Sequence, residues 1–253
     1  MRAIILAAGR GSRLRQASGQ HLPKCMLEFG GATLLQRHLH WLRWAGIDEI
    51  VLAVGFRCEL IEAELDRLAW RPRPEIVRNE RYELGSVLTV HCVSEAIRRG
   101  GDVLLMDADV LYDERILAPL VAGRQPVSRL LIDRDFEAGD EPVKVCVRNG
   151  VPIEMRKQIP SGLQYDVIGE SVGFFRLDQD AARKLASRAA GYVEGARASA
   201  PHEEALRDLL LEDGRAFEVA DVTGAPWIEI DFADDLARAT REILPQLRMV
   251  PLP

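Results

Sequence analysis

LAAGRGSRL, residues 6–14, is the stretch from which the rest of the chain can be read. It follows a strand-like apolar opening, Met1 to Leu6, and is itself followed by Pro23-Lys24. Gly9 and Gly11 can take backbone angles closed to other residues, which lets main-chain N–H groups close around an anion, while Arg13 and Lys24 add fixed positive charge. That chemistry suits a polyphosphate rather than a neutral ligand. It is neither of the common glycine fingerprints. The dinucleotide pattern G-x-G-x-x-G needs glycine or alanine where Leu14 stands, and the Walker pattern G-x-x-x-x-G-K-[ST] is absent. Two glycines after a strand make a tight turn as readily as a binding loop, and it is Arg13, Pro23 and Lys24 that weight the reading toward phosphate.

Working outward, Arg2 to Ala8 has the apolar continuity of a parallel strand buried on both faces. Thr33 is placed to cap a helix whose Leu34, Leu35, Leu39 and Leu42 recur at helical spacing until Gly46 closes it. A strand over Glu49 to Val54, a helix over Glu59 to Trp70 and a short strand Glu75 to Arg78 leading to Asn79 come next. Gly85-Ser86 opens a helix running to Arg99, before a strand over Asp102 to Met106. This alternation predicts an α/β, Rossmann-like fold, a mostly parallel sheet flanked by helices, with ligands beyond the carboxyl ends of the strands.

After about residue 125 the rhythm becomes strand-rich: Ser128 to Asp133, then Val143 to Arg148 and Pro152 to Lys157 joined as a hairpin by Asn149-Gly150. Asp178 caps a helix to Ala190, Pro201 to Glu212 forms another, and Trp227 to Asp231 is a strand before a terminal helix from Ala233 to about Leu247. With no repeat or linker in view, one domain is expected over residues 1–253, with a nucleotide-binding half (1–125) and an acceptor-binding half (126–253).

A net charge of −6 and a pI near 5.5 argue against a nucleic-acid partner, which needs a basic face. Cys25, Cys58, Cys92 and Cys146 are scattered singly, without the C-x-x-C pairs of a zinc or redox site. No apolar run approaches the ~20 residues that span a bilayer, so no membrane partner and a cytoplasmic location are expected. Trp41 and Trp44 on one early helix are either core or interface, which leaves a homodimer open.

Asp107-Ala108-Asp109 closes the apolar run Val103 to Met106 and so sets two carboxylates at a strand's carboxyl end, a position for magnesium carried by phosphates. The plainer alternative is an aspartate that caps the next turn. Trp227-Ile-Glu-Ile-Asp231 offers a further carboxylate at the end of a late strand, with Glu229 on the same face by strand periodicity. If Asp231 meets Asp109 across the sheet, the two can clamp one metal; otherwise Asp231 merely caps the terminal helix. Asp234 and Asp235, in the first helical turn, are read as structural.

LAAGRGSRL, Pro23-Lys24, the Asn79…Gly85-Ser86 segment, Asp107-Ala-Asp109 and Trp227-Ile-Glu-Ile-Asp231 together resemble the sugar-nucleotide and choline-phosphate nucleotidyltransferase family, over essentially the whole chain. The resemblance implies the nucleotide-diphospho-sugar transferase fold and transfer of a nucleoside monophosphate with release of pyrophosphate. It is closest to the short cytidylyltransferases that activate phosphocholine, inositol phosphate or related phosphorylated alcohols and phosphonates. That implies CTP as the nucleoside triphosphate and a small phosphorylated acceptor, with a sugar 1-phosphate as a further option. Carried over, Leu6, Ala7, Ala8, Gly9, Gly11, Ser12 and Arg13 cradle nucleotide and Lys24 meets phosphate. Gly85 and Ser86 lie by base and ribose, Asn79 and Asp107 also bind nucleotide, and Asp109 with Asp231 hold Mg2+. No hexapeptide-repeat extension follows Pro253, so a bifunctional acetyltransferase is not expected.

A phosphomonoester nucleophile has its second pKa near ~6 and needs no general base, so catalysis reduces to positioning and charge neutralisation. Arg13 and Lys24 are the expected catalytic cations on the nucleotide side. Lys157 is the first choice and Lys144 the second for the acceptor phosphate, although a lysine on an edge strand is often a solvated gatekeeper. Asp133, Arg134, Glu141, Glu170 and Ser171 are polar groups in apolar strand contexts, suited to an acceptor's hydroxyls or amine. Trp227 is a packed strand aromatic or a stacking surface for a cationic head group. The five histidines make no H-x-x-x-H pair and receive no role. Two rivals stand beside this reading. A D-x-D glycosyltransferase leaves GRGSRL and Pro-Lys unexplained, and a non-catalytic nucleotide-sensing module leaves the paired carboxylates and cations without a task.

Overall fold

The computed structural model of the protein describes residues 1–14, 21–122 and 127–250, so the boundary expected between the two halves lies outside the described residues. The first half carries β1 (Arg2–Ala7), the small hairpin β2 (Glu28–Phe29) and β3 (Ala32–Thr33), α1 (Leu34–Trp44), β4 (Ile50–Val54), α2 (Cys58–Arg67) and β5 (Glu75–Arg78). It continues with α3 (Ser86–Cys92), α4 (Ser94–Arg98), β6 (Val103–Asp107), β7 (Val110–Tyr112) and α5 (Glu114–Val121). The second half carries β8 (Ser128–Asp133), β9 (Lys144–Arg148), β10 (Val151–Arg156), β11 (Val167–Leu177), α6 (Gln179–Glu194) and α7 (His202–Glu212). It ends with β12 (Phe217–Asp221), β13 (Trp227–Glu229) and α8 (Ala233–Arg238).

β1 lies between β4 and β6, parallel to both, with Ile4 opposite Val51 and Leu105, and β5 extends the parallel set beyond β4. Alternate residues then face opposite ways. Ile4, Val51 and Leu105 enter a core with α3, α4, α6 and α7, whereas Ile5, Leu52 and Leu104 enter a second core with α1, α2 and α5. Both faces are dry, which explains why these strands read as unbroken apolar runs. The Thr33 hydroxyl accepts from Gln36 N and the Asp178 carboxylate from Asp180 N and Ala181 N, so α1 and α6 begin where their caps stand.

β11 joins the halves. Phe174 to Leu177 pair antiparallel with β6, Val167 to Glu170 pair with β9, and its other edge pairs with β8, to which β12 adds in parallel. The expected hairpin is β9 and β10. Three elements differ from expectation. The helix from Ser86 breaks at Val93 (φ −91°, ψ 12°) into α3 and α4. The terminal helix stops at Arg238 and passes into a π turn over Ala239–Ile243. Finally, β13 leaves the main sheet and pairs antiparallel with β7. Leu14, Leu27, Leu111, Ile228 and Ile230 pack in a third cluster that ties this ladder to the N-terminal loop.

Candidate active site

Beyond the carboxyl ends of β1 and β6 opens a cleft of about 440 Å³. Its floor is Leu6, Ala7, Ala8, Gly9, Gly11 and Ser12, and its sides carry Lys24, Ser86, Asp107, Asp109, Lys157, His202 and Glu229. Gly11 has φ +57°, and a Cβ there would lie 3.0 Å from Lys24 Cγ, so the glycine lets the loop pass over the lysine stem. Lys24 sits in a short 3-10 turn after Pro23. Its ammonium lies 2.8 Å from Asp109 Oδ2 and 2.5 Å from Asp231 Oδ1. Burial opposes the charge on Lys24, but the two carboxylates outweigh it and hold its pKa above the ordinary lysine value.

Asp109 and Asp231 meet because the β7–β13 ladder pairs Glu229 with Val110 and the next backbone bond runs from Ile230 N to Asp109 O, 3.0 Å. They therefore meet beside the main sheet rather than across it. Asp235 accepts from Asp231 N and Phe232 N, which fixes the turn into α8 and gives Asp235 the structural role its position suggests. Glu229 joins the pair, and one oxygen from each of Asp109, Glu229 and Asp231 lies within 4.8 Å of the others. Three hard oxygen donors around a buried ammonium, itself a stand-in cation, are a donor set that fits magnesium. The Glu229 carboxyl is pushed up where it crowds Asp109 and Asp231, as expected of acids gathered for a cation.

On the opposite wall the Asp107 carboxylate has room because β11 bulges at Gly173, φ +78°, where a Cβ would come within 2.5 Å of Asp107 Oδ2. His202, 3% exposed, begins α7 with Nε2 3.7 Å from Asp107 Oδ1 and Nδ1 3.1 Å from Glu203 Oε2. Its main-chain N donates to Ser86 Oγ at 2.8 Å. Burial would discharge the imidazole, yet Glu203 and Asp107 raise it to about 9, while burial together with Asp109 and Glu203 pushes Asp107 up to about 7. The wall is thus a cation held between two acids.

Lys157 lines the cleft, and its ammonium lies 2.9 Å from Glu141 Oε2. The same oxygen is 2.9 Å from Arg13 Nη1, which also lies 3.4 Å from Asp231 Oδ2 at the cleft mouth. A second cavity of about 590 Å³ adjoins this region, with Glu229 shared between the two and Asp231, Trp227, Asp133, Glu170 and Phe136 among its walls. Trp227 Nε1 donates to Asp133 Oδ2 at 2.8 Å, which fixes the indole as one wall. Burial and the nearby Asp133 push Glu170 up to about 7.

Most of the residues singled out from the sequence converge here, and four do not. Asn79 is 2% exposed and donates to Thr89 Oγ1 while accepting from Arg81 N, so it staples its own loop rather than facing the cleft. Gly85 packs against main chain instead of lining the site: a Cβ would lie 2.1 Å from Ala200 O, and Ser86 is the residue that reaches the cleft. The Lys144 ammonium donates to the carbonyls of Gly139, Pro142 and Lys157, which spends it on loop structure. Ser171 is buried, with its hydroxyl accepting from Gly173 N at 3.3 Å. Sequence reasoning did not assign His202, Glu203 or Glu229 to the site. Glu229 had a signal in its two-residue spacing from Asp231, whereas His202 and Glu203 reach the cleft only through the packing of α7 on α3. Trp41 is core, 4% exposed, and Trp44 is 52% exposed. Among the described residues no helix is long and apolar enough to cross a membrane.

The chain is 29% identical over 254 residues to a bifunctional IPC transferase and DIPP synthase of Rubrobacter xylanophilus, an alignment covering 96% of this chain and 52% of that one. To the CTP:phosphoglutamine cytidylyltransferase of Campylobacter jejuni it is 23% identical over 263 residues, covering 93% and 98%. It therefore spans about half the length of the first relative and nearly all of the second. The solved structure of the inositol-1-phosphate CTP transferase from T. maritima matches with a TM-score of 0.78 at 24% identity, covering 97% and 95% of the two chains, which establishes the shared fold. The model of the MobA-like NTP transferase domain matches residues 3–159, a span that takes in the glycine loop, Lys24, the Asp107-Ala-Asp109 strand end and Lys157. With the cleft built from these same parts, the chain belongs to the MobA-like NTP transferase domain family.

Proposed function

We propose that the protein is a cytidylyltransferase that moves CMP from CTP to a small phosphorylated acceptor, a phosphomonoester of an alcohol, a phosphonate or a sugar 1-phosphate. The observation that carries the reading is the meeting of Lys24 with Asp109 and Asp231, with Glu229 gathered beside them, at the cleft lined by the glycine loop that ends β1. CTP and a phosphorylated second substrate are suggested by the names of the relatives, among them the phosphoglutamine enzyme.

An acceptor oxygen attacks the α-phosphorus, the bond from that phosphorus to the bridging oxygen of the β-phosphate breaks, and pyrophosphate departs with the electron pair. The acceptor oxygen is already largely ionised at neutral pH, its second pKa lying near ~6, so no residue need take a proton. The loop from Leu6 to Ser12 cradles the nucleotide with Ser86 and Asp107, and Arg13 and Lys24 offset charge gathering on the pyrophosphate. Lys157 brings the acceptor phosphate toward that centre, countering repulsion between two anions, while Glu170 and Trp227 border the space for the rest of the acceptor. Asp109, Glu229 and Asp231 would hold magnesium, which when bound supplies charge neutralisation at the α-phosphate. In this reading the chain is one domain with its nucleotide-binding half before residue 125 and its acceptor half after it.

The test is the mass of the product formed from CTP and magnesium with each acceptor. The expected species is acceptor plus CMP less water, accompanied by pyrophosphate. A sugar-bearing product formed without pyrophosphate release when a nucleotide sugar replaces CTP would replace this reading with glycosyl transfer.

A further inference from the structure

Two of the three carboxylates proposed for the metal already hold a cation of the protein's own. The Lys24 ammonium, with its side chain 16% exposed, lies 2.8 Å from Asp109 Oδ2 and 2.5 Å from Asp231 Oδ1. Both aspartates belong, with Glu229, to the group that brings one carboxylate oxygen each within 4.8 Å of the others. An ammonium at hydrogen-bond distance from both aspartates and a divalent ion coordinated at roughly 2.1 Å by the same oxygens would be like charges at close quarters. The carboxylates can therefore serve one or the other fully. Arg13, 3.4 Å from Asp231 Oδ2, adds a weaker positive presence at the mouth.

The stem of Lys24 is equally specific. It runs past Gly11, φ +57°, where an added Cβ would lie only 3.0 Å from Lys24 Cγ. The ammonium is thus threaded from the glycine loop to the carboxylates, and what fills the loop lies beside its path. A bound triphosphate offers the ammonium a stronger set of oxygens, and moving to them uncovers the carboxylates.

Resting on the nucleotidyl-transfer reading of this cleft, we infer that Lys24 is an internal counter-ion that closes the carboxylate site to free divalent cations and gives it up when a triphosphate draws the ammonium away. Metal and nucleotide then enter together. The arrangement also explains how three acids keep their places in the protein without an ion, since removal of one partner from a buried ion pair leaves the others uncompensated.

Free Mn2+ titrated into the protein without nucleotide, followed by electron paramagnetic resonance, tests this. Lys24→Met is expected to bind Mn2+ at least about tenfold more tightly than wild type, and Lys24→Met combined with Asp231→Asn to lose that gain. Lys24→Met is also expected to melt below wild type without metal and to recover with Mn2+, while the wild-type melting temperature stays put. Lys24→Gln, which fills the same space without charge, provides the same comparison should the methionine variant fail to fold. Equal Mn2+ affinity in wild type and variant would overturn the inference, as would absence of binding in both. In either case pyrophosphate release from wild type with CTP and magnesium would leave the nucleotidyl-transfer reading standing.

Discussion

Gly173 stands where any side chain would strike Asp107: its φ is +78°, and a Cβ would lie 2.5 Å from Asp107 Oδ2. The bulge in β11 therefore exists to make room for a carboxylate that faces the cleft from β6. Gly173→Ala combines left-handed strain with a clash at a site group, and is expected to lose about 2 kcal/mol or more of stability. Denaturant unfolding measures it, and a loss within error would show that β11 can re-form around the methyl.

Asp231 reaches Asp109 through the β7–β13 ladder, so its removal takes away an oxygen proposed for the metal without touching the main sheet. Asp231→Ala is expected to cut turnover by at least about a hundredfold while the protein stays folded. Near-normal turnover would remove Asp231 from the site. Glu229→Gln tests the third donor in the same assay and is expected to weaken apparent magnesium affinity.

Lys157 shares Glu141 with Arg13, so the cation proposed for the acceptor and one proposed for the nucleotide meet on one carboxylate. Lys157→Ala is expected to raise the acceptor KM by about tenfold or more, the size of a hydrogen bond to a charged group, with less effect on the nucleotide KM. An effect confined to the nucleotide would reverse the assignment of the two sides.

Glu170 gives a pH signature. Its carboxyl keeps a proton in the folded protein up to about pH 7, against 4.5 for an ordinary glutamate, because of burial first and then Asp133. Between those values the native state binds more protons than the unfolded chain, so this group makes stability fall as pH rises from about 4.5 to 7. Glu170→Gln removes that fall. The variant is expected to match wild type near pH 4 and to exceed it at pH 8 by an amount on the order of 1 kcal/mol. Parallel stability curves for the two proteins would contradict this.

What could be read from the sequence follows from how local each signal is. β1, β4 and β6 are buried on both faces and announce themselves as apolar runs, and the caps Thr33 and Asp178 sit at the starts of their helices. Asp109 and Asp231 drew attention because each stands just past a strand, and the structure brings both against Lys24. β11 was legible only in part: Glu170 and Ser171 stand in a strand context, but its bounds were not, since Glu170 and Arg176 interrupt the apolar pattern. Arg176 is 2% exposed, and its pairing with Asp102, distant in sequence, together with a bond to Leu120 O makes that burial tolerable. Asn79 and Gly85 were misplaced for a related reason: a polar residue and a glycine at a strand end fit a ligand loop and a loop staple equally well until Thr89 and Ala200 are seen against them. Lys144 and Lys157 lie on one hairpin, and it took the carbonyls of Gly139 and Pro142 to separate them.

Pyrophosphate release in the presence of magnesium is the most direct test, with CTP, UTP, GTP, ATP and dTTP each set against phosphocholine, inositol 1-phosphate, 2-aminoethylphosphonate and glucose 1-phosphate. The account predicts release that needs CTP and one of the phosphorylated acceptors, and that disappears in Asp109→Ala. No release with any pair, together with a melting temperature that no nucleotide moves, would contradict it.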